Sequence, residues 1–374
     1  MRRIPITPAA LTLLATGLLA VWAWKANTRD EVRSVSESPS APAKTSVPKA
    51  SADIISPTME FLGGAPDATE VRSEFQRLKQ SLAAMPKDQA IALIRDFLSS
   101  GNDRTTGLSF EISSDGSLTE WPTFRTFLLD ALLALDLAAA AAISREILGE
   151  PTSADEWALA LRNVARAEID PAFLRSKTEE LITNPGWQAN PSIGYLNAFD
   201  VLVHIDSTAS TPLLSSLIQR KDRRDLAHAG FLTLDRLVQR QPVDELSRLA
   251  GDTALQQSRP EMVAQQFARA DLRDPAQQSL VKAWLLDPAR KPAELRAFAG
   301  VYPNNNRFVS NNLLTRETAQ TGDDLAAHDR EALTVVTGWQ QDPAFSAVKE
   351  HLTAMVSRLN GFVGVRDSPT PPPE

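Results

Sequence analysis

The sequence predicts an all-α protein built of helical hairpins, set behind one hydrophobic N-terminal segment and a disordered linker. Three observations carry that expectation. Alanine and leucine dominate the patterned segments while aromatic residues make up only 6% of the chain. Apolar residues recur three and four apart from about Asp67 onward. Turns carrying Asp or Pro separate these periodic stretches. Ala and Leu are strong helix formers, and the three-four spacing gives each helix one apolar stripe to bury.

Composition narrows the function before any motif is considered. With 374 residues, 43% hydrophobic and 23% charged, the chain has the make-up of a folding sequence large enough for one big domain or two ordinary ones. A formal charge of -7 spread over the whole length lacks the concentrated basic face that nucleic-acid binding requires. Cysteine is absent, which removes disulfides, thiol nucleophiles, iron–sulfur clusters, zinc-thiolate sites and a lipobox-type lipid anchor.

Residues 1–24 read as a signal anchor. Ile4 to Trp24 holds 21 residues without a charge, and a helix of that length matches a hydrocarbon core of about 30 Å. Arg2 and Arg3 precede it, whereas Lys25, Arg29 and Arg33 after it are interleaved with Asp30 and Glu31. The positive-inside rule then leaves the N-terminus in the cytoplasm and the rest of the chain outside, on the periplasmic side of an envelope. The alternative is a signal peptide cut after Val21-Trp22-Ala23, which would release the protein in soluble form. Trp22 and Trp24 suit an interfacial aromatic belt better than a cleavage region.

Residues 25–66, rich in Ser, Pro, Ala and Lys, read as a disordered tether. About 35 such residues reach on the order of 100 Å when extended. Residues 67–363 form the predicted helical body, and 364–374, including RDSPTPPPE, a disordered tail. Val71, Phe75, Leu78, Leu82 and Met85 make the first stripe, stopped by Pro86; Ile91, Ile94, Phe97 and Leu98 make the second, ended by Gly101. Asn102 to Glu120 has turn residues and a brief Leu-Phe-Ile alternation, so a short β-hairpin or an ordered loop is expected there. The apolar helix TFRTFLLDALLALD follows, and its neighbour carries Ala138 to Ala142, small enough for close helix approach.

From about Ser153, anchors beginning at Leu161, Phe199, Leu234 and Phe267 each show an apolar helix end, a turn and a second periodic helix, at intervals of about 33 to 38 residues. In period and helix pairing, over roughly Ser153 to Pro288, the chain resembles the HEAT-like α-solenoids; tetratricopeptide and ankyrin signature residues are missing. The resemblance implies an irregular stack of helical hairpins and no particular activity. The alternative is an irregular helical bundle. After Pro303 the segment NNNRFVSNNLL breaks the period, and helices over about Asp324 to Gln341 and Pro343 to Asn360 close the body, with Leu325, Leu333, Val336, Trp339, Val348, Leu352 and Val356 inward.

No catalytic constellation emerges. His204, His228, His328 and His351 stand far apart, and His204 within VLVHI reads as a core residue. HExxH, GxSxG, P-loop and GxGxxG motifs are absent, and Pro122 stands where a calcium loop around Asp115-Gly116 would need its glutamate. No metal or cofactor is expected. Candidate partner-binding residues are Trp187 in NPGWQANP, the basic cluster Arg220, Lys221, Arg223 and Arg224, and Asn304, Asn305 and Asn306 at the start of the asparagine-rich segment. The expected function is a membrane-tethered scaffold outside the cytoplasm that binds a protein or peptide without catalysis. The alternative is an envelope glycan hydrolase using a carboxylate pair in a helical cleft.

Overall fold

Asp67 opens the first long helix with a reciprocal cap: its carboxylate accepts from the backbone N–H of Thr69 and Glu70, and the Glu70 side chain accepts from the Asp67 N–H. The computed structural model containing this cap describes residues 54–167, 170–307 and 310–366. The predicted membrane segment, most of the predicted tether and most of the tail lie outside them. Among the described residues the fold is mostly helical with almost no strand, and no helix is long and apolar enough to cross a membrane.

Helix α1 (Ser56–Gly63) precedes α2 (Ala68–Ala84) and α3 (Lys87–Ser99). Val71, Phe75, Leu78 and Leu82 of the first predicted stripe are buried, and Pro86 separates α2 from α3. Helix α1 falls inside the stretch read as tether. Ile55 and Leu62 are buried and the Thr58 hydroxyl donates to Glu74 at 2.6 Å, an ordering that eight residues are too few to announce by period.

The non-helical stretch contains a two-stranded antiparallel hairpin, β1 (Glu111–Ile112) with β2 (Leu118–Glu120). Gly116 turns it at φ +78°, and a Cβ there would overlap the Leu313 carbonyl oxygen and the Arg166 guanidinium, so only glycine fits. Helix α4 (Phe124–Leu135) is buried on nearly every side from Phe124 to Leu132. Its Phe127 stacks on Phe75 with ring centroids 4.1 Å apart, and Trp121 meets Phe127 edge-on at 5.1 Å. In α5 (Leu137–Ile147) Ala140 and Ala141 are buried while Ala138 and Ala142 face outward, as the helical period requires. Helix α5 packs on α6 (Ala154–Ala167).

The middle of the chain is cut finer than the sequence period suggests. It comprises α7 (Pro171–Thr183), α8 (Pro185–Ala189), α9 (Ile193–Ala198), α10 (Asp200–His204), α11 (Thr211–Ile218), α12 (Arg224–Arg240), α13 (Pro242–Gly251), α14 (Thr253–Ser258), α15 (Pro260–Phe267), α16 (Pro275–Leu286) and α17 (Pro292–Val301). Helices α7, α8, α11, α13, α15, α16 and α17 carry Pro in their first two positions, where its missing N–H costs nothing. Packing runs mostly between near neighbours in sequence: α6 on α7 and α9, α11 on α12, α13 on α16, α15 on α17.

Three buried acids pair with arginines of later elements. Asp130 pairs with Arg162 at 2.7 Å, 32 residues apart; Asp200 with Arg236 at 2.8 Å, 36 apart; Asp235 with Arg269 at 2.5 Å, 34 apart. The chain closes with α18 (Gly322–Gln341), a 3₁₀ stretch Pro343–Val348 and α19 (Lys349–Arg366). Val336, Trp339, Val348 and Leu352 are buried there; Leu325, Leu333 and Val356 are half-buried. Helix α19 extends slightly into the span predicted as tail.

Candidate functional site

The predicted candidates fall into two separate groups. Asn184 caps α8, so Trp187 sits on a one-turn helix instead of a loop, half-buried, with its ring edge-to-face on Trp157 at 5.2 Å. Arg220 and Arg223 reach the neighbouring Gln188 from the turn between α11 and α12. Arg220 donates to the Gln188 side-chain oxygen at 3.0 Å, and Arg223 donates to its backbone carbonyl. Arg220 is also held bidentate by Asp222, and Arg223 by Asp225. The guanidinium hydrogen bonds of Arg220 and Arg223 are the chief cause holding the Asp222 and Asp225 carboxyls below their ordinary range. Lys221 and Arg224 are exposed at the same turn.

Asn304, Asn305 and Asn306 stand elsewhere, at the root of the long link between α17 and α18. The Asn304 N–H donates to the Ala268 carbonyl at 2.9 Å, and Arg269 donates to the carbonyl oxygens of Asn304 and Asn306 at 3.0 and 2.7 Å. Asn304 and Asn305 line a polar cavity of about 270 Å³ together with Arg273, Arg307, Gln320 and His328. Burial raises the nearby Asp271 carboxyl, but hydrogen bonds from Arg273, with the charge of His328 adding to them, bring it below its ordinary value overall.

The most elaborate recognition involves residues that sequence reasoning passes over. The later part of the link, residues 310–320, crosses the ends of several hairpins. Asn311 donates to the Ile112 carbonyl at 2.9 Å. Arg166, on α6, donates to the Leu313 carbonyl at 3.3 Å. Asp200, heading α10, accepts the consecutive backbone N–H groups of Leu314 and Thr315 at 2.7 and 3.0 Å and also the Thr315 hydroxyl. Arg236, on α12, donates to Glu317 at 2.8 Å and to the Thr315 hydroxyl. The sequence does hold a signal for these anchors: Asp200 and Arg236 are charges inside apolar runs, AFDVLV and LDRLV, one repeat interval apart.

Beside this arm lies a cavity of about 400 Å³ between α9, α10 and α12. His228, Leu232 and Arg236, four residues apart, present one face of α12 to it, and Leu196, Phe199 and Asn311 also line it. Its lining mixes apolar Leu196, Phe199 and Leu232 with polar Asn197, Ser310 and Asn312.

Asp200 is saturated by donors and Asp225 is held by Arg223. The carboxyls raised by burial, Asp155, Glu156 and Glu245, line neither cavity. His204, expected in the core, is exposed because it ends α10; His328 and His351 are the buried histidines. His328 Nδ1 lies 3.0 Å from Asp329. Among the described residues no group of three or more His, Cys, Asp or Glu is placed to hold a metal ion. Compared with protein-family models, with curated proteins and with solved structures, the chain matches none.

Proposed function

We propose that this chain is a membrane-tethered, non-enzymatic scaffold outside the cytoplasm, whose body is an irregular HEAT-like solenoid that binds an extended peptide segment of a partner protein. The observation that carries this reading is the row of anchors on successive hairpins, Arg166, Asp200 and Arg236, which hold the main chain and polar side chains of an irregular segment. Acid–arginine pairs recurring at 32 to 36 residues support the solenoid, since a stack of like units repeats its neighbour contacts. The apolar groove along α12 supplies the pocket in which a partner side chain is buried. The tether reading rests on the uncharged run Ile4 to Trp24 and the Pro-rich stretch after it.

A glycan hydrolase has less support. It needs one carboxyl kept protonated across a cleft from an ionised one. In the α12 groove Asp200 is consumed by four donors, and hydrogen bonds from Arg223 hold Asp225 low.

Selection of a random displayed-peptide library against the full chain in detergent tests the reading. Enriched peptides are expected to bind the unmodified protein and to lose binding on Leu232→Arg, which places a charge in the groove lining. No enriched peptide, or peptides indifferent to Leu232→Arg in a variant with unchanged far-UV circular dichroism, would sink it.

A further inference from the structure

We propose that residues 310–320 are an internal occupant of the partner site, and that the partner peptide carries an apolar residue, a hydroxyl and a carboxylate at alternate positions and binds by displacing them. The inference rests on the scaffold reading and adds to it a ligand class and a mode of control.

Burial along the segment is the first argument. Leu313 and Thr315 are buried, Leu314 and Glu317 are half-buried, and Arg316 and Thr318 are exposed. The chain bends at Leu313 and Leu314, and the two consecutive N–H groups of Leu314 and Thr315 meet one oxygen of Asp200. The contacts are also of the kind that read a peptide. Asp200 takes two consecutive N–H groups, Arg166 takes a carbonyl, and Arg236 spans a hydroxyl and a carboxylate two residues apart. An incoming Leu-x-Thr-x-Glu segment would meet the same donors and acceptors.

A tethered occupant is hard to displace, because a short linker gives it an effective concentration in the mM range. A partner must therefore gain contacts that the arm lacks. The groove offers them: besides Asn311 and Asn312 of the arm it is lined by Leu196, Phe199 and Leu232, which belong to the body. Release need not undo the next helix, since α18 keeps its own cap, the Thr321 hydroxyl accepting from the Asp324 N–H at 3.1 Å.

The test uses the full chain in detergent and a fluorescent synthetic peptide of sequence SNNLLTRETAQ, identical to residues 310–320. Thr315→Val with Glu317→Gln weakens the arm's own hold, and the labelled peptide should then bind about tenfold or more tightly than to the unmodified chain. Adding Arg236→Met should remove that gain. Equal affinity for both forms, or indifference to Arg236→Met, overturns the proposal. If the weakened variant fails to fold, hydrogen exchange on the unmodified chain decides: a library-selected peptide at saturating excess should speed exchange of the Leu314 and Thr315 amides, and unchanged protection overturns it. A library-selected peptide that binds both forms equally would sink the arm and leave the scaffold standing. A library that yields nothing against either form would sink the scaffold itself.

Discussion

Glu245 stands fully buried near the start of α13, where its two carboxylate oxygens accept from the Thr211 hydroxyl at 2.9 and 2.8 Å. Burial raises its pKa from 4.5 to about 7, and the Thr211 hydrogen bond offsets only part of the rise. Between those two values the folded chain binds more protons than the unfolded one, so this residue makes stability rise as pH falls from 7 toward 4.5. Above pH 7 the ionised form opposes folding by on the order of 3 kcal/mol. Glu245→Gln keeps a group able to bond Thr211 but cannot ionise. It should raise the unfolding temperature at pH 8 by on the order of 5 °C, and the gain should vanish by about pH 4. A gain that is the same at both pH values would show that the carboxyl is not the source.

Between elements, the acid–arginine pairs tie earlier elements to later ones. Arg162 is fully buried on α6; it donates to Asp130 on α4 at 2.7 Å and to the Gly116 carbonyl at 3.1 Å. Asp130 in turn accepts from the Trp121 indole at 3.0 Å. Removing one partner of such a pair strands a buried charge, so Arg162→Met should cost about 3–5 kcal/mol in urea unfolding. Adding Asp130→Asn should recover part of that loss, since the amide oxygen still accepts from Trp121 while the charge is gone. If the double variant is no more stable than Arg162→Met alone, the cost lies in packing and not in the stranded charge. The helices themselves were largely readable from sequence. Val71 to Leu82 and Val336 to Leu352 follow the three-four period onto buried faces. The short hairpin was legible from its turn residues. Helix α1 was not, because about two turns offer too few positions for a period to show.

Over the whole molecule, neighbour-to-neighbour packing alone would let hairpins open one at a time. The arm works against that by joining places far apart in sequence: Asn311 meets Ile112 across 199 residues, and Leu313 meets Arg166 across 147. Unmodified protein should therefore unfold in urea in one transition seen alike by tryptophan fluorescence and far-UV circular dichroism. With Thr315→Val and Glu317→Gln the two curves should separate. Coincident curves in that variant would mean that the helical stack is cooperative without the arm.

The sequence by itself determined the helical class and the closing pair of helices, because each is written in local spacing. Only the tertiary structure decided where the asparagine-rich link goes. Trp187 and the basic cluster Arg220, Lys221, Arg223 and Arg224 drew notice separately, and the fold brings Arg220 and Arg223 onto Gln188 beside Trp187. Asn304 to Asn306 drew notice as a break in pattern, and the fold makes them the root of an arm whose working residues lie further on. Contacts across 147 and 199 residues leave no periodic trace in a chain, since nothing local fixes which distant carbonyl an arginine will meet. Those meetings are set by the tertiary packing of the helices, which brings Arg166, Asp200 and Arg236 to one crossing segment.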